Sequence, residues 1–466
     1  MTASVAIIGG GLAGSEAALQ LAKAGISVDL YEMKPAQRSP AHHNPNLAEI
    51  VCSNSFGSHQ SLTASSLLKA ELLALDCQLL QLAQSVSVPA GQALAVDRDA
   101  FSQLVNDKIQ QTSGIQHIVQ EVSTLPEGYK AYLIATGPMT SAGLSQTLSA
   151  LVNRQQLYFF DAAAPIVLRD SIDFSIAFYQ NRYEMEKKKA DESDAITAPT
   201  GDRYINCPLN KEEYTTLRQF ILDAEKIPLK SFETAGENGE KAQFFESCLP
   251  VEVLADRGED TLRYGPLKPV GLYNPHRNGE RPYAVVQLRQ DNLEGTLFNM
   301  VGFQTNLRWG AQKQMIQLIP GLQQAEVVRY GVMHRNTYLH SPEVLQPSLQ
   351  LKEHPHIFIA GQLTGTEGYT ESIATGLLAA KNVERYLNGA SVLVLPAETM
   401  LGALTHYITR PEAIGKNFQP INSNWGILPA PSERIKDKKL RHQALYNRAL
   451  AELEKITQSN QTLGVS

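Results

Sequence analysis

The apolar positions of the chain fall into short runs that end at glycine or at an acid. Val5-Ala6-Ile7-Ile8 is wholly apolar and reads as a strand buried on both faces. Gly9-Gly10-Gly11-Leu12-Ala13-Gly14 follows at once. Ser15 to Ala24, rich in Ala and Leu, then predicts a helix that Gly25 closes. Ile26 to Tyr31 predicts a second strand, ending at Glu32. The order is strand, glycine turn, helix, strand, acid. Two later segments share the character of the first strand. Ala131-Tyr132-Leu133-Ile134 ends in Ala135-Thr136-Gly137, and Ile357-Phe358-Ile359 ends in Ala360-Gly361-Gln362. The second leads through Leu363 to Tyr369 into a helix of small residues from Ser372 to Ala380.

Between these segments the pattern changes. From Leu157 onward the chain reads as short strands separated by turns marked with Pro and Gly. Glu184 to Gly201 is polar, charged and weakly periodic, which predicts an exposed insertion. Ala397 to Ser466 carries helical segments and a basic stretch from Glu433 to Arg441. The predicted fold class is α/β, with a Rossmann-like framework split between residues 1–160 and 329–466. Residues 161–328 form an inserted α+β domain, and the second framework part ends in a helical segment. A length of 466 residues agrees with more than one core.

The glycine turn carries a chemical expectation. Gly9 allows the tight turn, Gly11 lets backbone approach a pyrophosphate, and Gly14 lets helix and strand pack closely. Gly10, Leu12 and Ala13 complete the loop, whose helix offers free N–H groups to phosphate. Glu32 can accept hydrogen bonds from an adenosine ribose, which favours FAD or NAD over NADP.

Composition narrows the function further. A net charge of −6 argues against coating nucleic acid by bulk charge, while leaving room for local basic patches. Four cysteines without a C-x-x-C pair exclude a disulfide scaffold and a zinc ribbon, and suit a reducing cytoplasm. No run is long enough to span a bilayer and no secretory signal is visible, so a cytoplasmic protein is expected. The eleven histidines show no metal-binding spacing, so no metal is expected. Cys52 lies among Ser53, Asn54 and Ser55, donors that favour a reactive thiolate. Cys207 and Cys248 lie near predicted turns, and Cys77 reads as core filler on an apolar helix.

The strands ending at Gly137 and Gly361, with the first glycine turn, resemble the two-dinucleotide-binding-domain flavoproteins. That resemblance selects FAD, with a helix start near Thr370 facing its flavin end. Further segments sharpen the likeness. They are Cys52-Ser53-Asn54-Ser55, Phe245-Glu246-Ser247-Cys248-Leu249-Pro250, Tyr264 to Leu272, Gly302-Phe303-Gln304-Thr305, Arg329 to Tyr338 and Gly361 to Glu371. Together they resemble the folate- and FAD-dependent tRNA (uracil-5-)-methyltransferases, within the superfamily typified by glucose-inhibited division protein A. Ser247, Phe56-Gly57 and the 184–201 insertion depart from the family pattern.

The resemblance implies an enzyme that makes 5-methyluridine in the T-loop of tRNA. Methylenetetrahydrofolate would donate the carbon, FAD would carry and reduce it, and NADH or NADPH would reduce the flavin. It assigns Cys248 as the nucleophile toward carbon 6 of uracil and Cys52 as the partner base or second thiol. Arg434 to Arg441, Arg257, Arg263 and Lys268 are candidate tRNA contacts. Two other readings are an FAD-dependent enzyme of the tRNA wobble uridine, whose members are longer, and a non-catalytic flavin-stabilised tRNA-binding protein.

Overall fold

Five parallel strands form the sheet on which the glycine turn sits. In spatial order they are Ile357–Ile359, Ala131–Ile134, Val5–Ile8 (β1), Val28–Glu32 (β2) and Ile115–Val119. The computed structural model describes residues 4–39, 41–153, 157–162, 164–183, 203–227, 249–292, 295–331, 333–415 and 418–462. Every residue of β1 is buried, as its unbroken apolar run requires. The helix after the turn (α1) spans Leu12–Lys23, beginning inside the glycine motif rather than at Ser15. Gly25 takes a φ of +76° just beyond its end.

A long helix, Tyr369–Leu387, packs across α1. Small residues make this possible: a Cβ on Gly376 would lie 2.3 Å from the Ala13 carbonyl oxygen. The predicted helix of small residues is thus an internal packing face, longer at both ends than its composition suggests. Around this pair a core gathers Leu67, Leu68, Phe101, Ile373, Leu377 and Leu404.

A second sheet of six strands runs Phe178–Gln180, Tyr204–Leu209, Ala284–Gln290, Leu297–Met300, Ile166–Leu168 and Val327–Arg329, with antiparallel neighbours throughout. Its core is separate, built on Cys207, Leu217, Val286 and Phe303. The strands Leu157–Ala162 and Met333–Tyr338 pair antiparallel, and so join the two chain crossings between the sheets. The C-terminal part contributes the helices Met400–Ile408 and Lys438–Thr462.

Two expectations about cysteines change. Cys77 is fully buried, as expected, but it is the N-cap between the helices Ala64–Ala74 and Gln78–Ser85 rather than a mid-helix residue. Asp76, with φ of +62°, breaks the helix there. Cys207 lies within a central strand, fully buried, and burial pushes its thiol far above the ordinary range. The 184–201 insertion and Ser247-Cys248 lie outside the described residues.

Candidate active site

The glycine turn opens onto a cleft. Gly9, Gly10, Gly11, Leu12, Ala13, Glu32, Gly137 and Gly361 all line it. Gly9 has φ of +103°, and a Cβ there would lie 2.6 Å from the Ala135 carbonyl oxygen. Gly14 does not line the cleft. It is the closest approach of α1 to the turn, where a Cβ would fall 1.9 Å from the Gly9 oxygen. Gly11 is different, because a Cβ there meets nothing within 4 Å. The space it leaves is the space a pyrophosphate would take at the start of a helix.

Glu32 is fixed before any ligand arrives. Its Oε2 accepts from the Gly10 N–H at 2.8 Å and its Oε1 from the Lys34 N–H at 3.0 Å. Each carboxylate oxygen keeps a free lone pair for a ribose hydroxyl. Lys34 also lines the cleft, but its ammonium is consumed by Glu49 at 3.2 Å and the Asn46 carbonyl at 2.6 Å. A 2′-phosphate would therefore meet a carboxylate and no available lysine, which favours an unphosphorylated ribose. The donor set and the space at Gly11 fit FAD.

Val51, Gln362, Tyr369 and Ser372 also line the cleft. Thr370, expected there, is buried and spends its hydroxyl on the Phe56 carbonyl at 2.8 Å. The helix presents Tyr369 and Ser372 to the cleft instead. The sequence pattern gives Tyr369 no role of its own. No local signal marks it, because its partners lie more than 300 positions away.

Cys52 meets that tyrosine. Cys52 Sγ lies 2.9 Å from Tyr369 Oη. Three successive backbone N–H groups, of Val51, Cys52 and Ser53, point at the same oxygen from 3.1, 2.9 and 3.2 Å. Such a concave run of N–H groups is an anion-favouring nest. Burial and the neighbouring Cys52 nevertheless push the Tyr369 phenol well above its usual range, so it keeps its proton. Its oxygen is already filled by donors, and its own hydrogen is left for the sulfur. The arrangement presents Cys52 as an acceptor, the role of a thiolate.

The loop that carries Cys52 is tied on all sides. Ala48 N–H donates to the Gly10 carbonyl at 2.9 Å, and Leu47 packs against Gly10. Asn54, fully buried, donates to the carbonyls of Val96 at 3.1 Å and Gln290 at 2.9 Å, and accepts from Arg289 Nε at 3.0 Å. The donors expected beside Cys52 therefore come from Tyr369 and backbone, while Asn54 anchors the loop to the six-stranded sheet. Cys248 lies outside the described residues, so its distance to Cys52 is not part of this geometry. Among the described residues no cluster suits a metal ion, and no helix is long and apolar enough to cross a membrane.

Residues 4–391 match the profile of the family described as glucose inhibited division protein A. The methylenetetrahydrofolate–tRNA-(uracil-5-)-methyltransferase TrmFO of Halalkalibacterium halodurans is 48% identical over 453 residues, covering 97% of this chain and 98% of the relative. The protein of the same name from Bacillus subtilis is 47% identical over 456 residues, covering 98% and 99%. Among solved structures, Aquifex aeolicus GidA superposes with a TM-score of 0.68 at 16% identity, over 100% of this chain and 74% of that one. That likeness supports the fold alone. With a matching profile over most of its length and relatives at nearly half identity end to end, the chain belongs to the glucose-inhibited division protein A family, in its branch of methylenetetrahydrofolate–tRNA-(uracil-5-)-methyltransferases.

Proposed function

We propose that this protein methylates carbon 5 of a uracil in tRNA, taking the carbon from methylenetetrahydrofolate. The observation that carries the reading is the contact of Cys52 with Tyr369, a residue that lines the cleft shaped for a dinucleotide. FAD held by Gly9 to Ala13, Glu32, Gly137 and Gly361 would supply the carrier for the one-carbon unit and the electrons that turn a methylene into a methyl group. The chain's own residues have the remaining tasks.

Carbon 5 of uracil is a poor nucleophile. A thiolate adding at carbon 6 makes it enolate-like, so that it can attack an electrophilic methylene. A base must then take the proton from carbon 5, after which the thiolate leaves carbon 6. The family resemblance gives the first task to Cys248 and the second to Cys52. Cys52 suits the base role, because Tyr369 donates to its sulfur and so favours the thiolate. We propose on the same resemblance that the target lies in the T-loop, that NADH or NADPH reduces the flavin, and that the protein works in the cytoplasm. We further propose the division into a cofactor-binding framework, residues 1–160 and 329–466, and an inserted domain, 161–328, facing the tRNA. A flipped-out loop base would be read by stacking and phosphate contacts. Arg263 is one candidate, stacked over Tyr283 with its guanidinium carbon 4.3 Å from the ring centre.

The test is an assay for 5-methyluridine on unmodified tRNA with methylenetetrahydrofolate and each nicotinamide nucleotide. Methylation that requires folate and a reductant supports the reading. Modification of the wobble uridine, or tRNA binding without turnover, rejects it.

A further inference from the structure

The Cys52 loop is gripped from behind by an arginine, and the grip has a direction. The Ile50 carbonyl and the Val51 N–H belong to one planar trans peptide, and the Val51 carbonyl and the Cys52 N–H to the next. In each plane the oxygen and the hydrogen point opposite ways. Arg98 Nη1 donates to the Ile50 and Val51 oxygens at 3.1 and 2.9 Å. On the opposite side the two N–H groups converge on Tyr369 Oη at 3.1 and 2.9 Å. The guanidinium thus fixes both peptides and aims their positive ends at the oxygen that touches Cys52 Sγ.

Arg98 is itself held from the inserted sheet. Its Nε meets the two oxygens of Asp291 at 3.2 and 3.0 Å, and its Nη2 meets Oδ1 at 3.1 Å. Asp291 directly follows the strand Ala284–Gln290 and is buried. The other titratable groups near this point are Arg289, Arg329, Glu49 and the protonated Tyr369 phenol. Glu49 is ion-paired with Lys34 and also feels His42. Arginines therefore outnumber the carboxylates among these described residues once Glu49 is matched by Lys34. Arg98 is held charged by Asp291 despite its burial.

We propose that Arg98 and Asp291 together set how readily Cys52 becomes a thiolate. Arg98 is a positioning residue that acts through the two peptides, and Asp291 is the opposing charge, supplied by the inserted domain. The protonation of a thiol beside the cofactor cleft is thereby coupled to a residue of the other sheet. The proposal rests on reading Cys52 as a reacting thiol, but its test needs no turnover.

The experiment measures iodoacetamide alkylation of Cys52 against pH in the purified full-length protein with its flavin, read by mass spectrometry on the Cys52 peptide. Arg98→Met removes the positive charge and the aligned dipoles, so the midpoint moves up by about one unit. Asp291→Asn is nearly isosteric and keeps an acceptor for Arg98, but removes the opposing charge, so the midpoint moves down. Arg98→Lys keeps the charge without the fork and falls between Arg98→Met and the parent protein. Opposite shifts support the proposal, because loosened packing alone would move both variants the same way. Unchanged midpoints, or shifts of one sign, overturn it. If Arg98→Met does not fold, the sign for Asp291→Asn decides alone. Opposite shifts in a protein that methylates no tRNA would reject the methyltransferase reading and leave this coupling standing.

Discussion

The glycine turn separates two jobs that the sequence motif writes with one letter. Gly14 is a packing glycine, since a Cβ there would lie 1.9 Å from the Gly9 oxygen. Gly11 is a ligand glycine, with an ordinary φ of −73° and open space where a side chain would go. Gly14→Ala should therefore destabilise the fold, by about 2 kcal/mol or more, because backbone must move. Gly11→Leu should leave stability within about 0.5 kcal/mol, as an unobstructed substitution does. It should nevertheless yield a protein without flavin. Chemical denaturation followed beside the flavin absorbance separates the two. A Gly11→Leu protein that retains a full complement of FAD would place the pyrophosphate elsewhere.

At the scale of elements, buried acids organise the helices that frame the site. Glu71, in the helix Ala64–Ala74, accepts from the Met400 and Leu401 N–H groups at 2.6 and 2.9 Å and so caps the helix Met400–Ile408. Burial raises its carboxyl to about 7, and the two backbone donors only partly oppose this. The sign follows from linkage. The folded state binds the proton more tightly than the unfolded state, so this group's contribution is present at low pH and fades as pH rises toward about 7. Relative to Glu71→Gln, which cannot titrate, the parent protein should lose about 3 kcal/mol of stability between pH 4.5 and pH 8. Urea midpoints of both proteins across that range would show it, and parallel curves would contradict it. Sequence reading could not have found this cap, because Glu71 and Met400 meet only in the folded chain. It did find β1, the turn, β2 and the later strands, because strand, turn and helix signals are local. It misplaced Cys77 for a related reason. An apolar stretch conceals the left-handed Asp76 that splits it into two helices.

The whole molecule explains why the reactive end of the site was less legible than the cofactor end. Gly9, Gly11, Gly14 and Glu32 lie within one strand–helix–strand unit, so their spacing alone announces a dinucleotide. Cys52, Arg98, Asp291 and Tyr369 come from four distant segments, and only their meeting gives them meaning. Local sequence and family likeness both point to Cys52, family likeness alone to Cys248, and geometry to Tyr369, Arg98 and Asp291. The same separation sets the last expectation. If two cysteines divide the work on uracil, RNA carrying 5-fluorouracil at the target should trap the adduct, since fluorine at carbon 5 cannot leave as a proton. Peptide mapping should place the mass on Phe244 to Val253, the segment containing Cys248. Cys52→Ala should abolish methylation yet still allow the adduct, because base action follows addition. Its flavin content should be unchanged, because no residue of the glycine turn depends on the thiol. Cys248→Ala should lose both adduct and methylation. An adduct on Cys52 instead would exchange the two roles, making the thiol beside Tyr369 the nucleophile and leaving proton removal to the other.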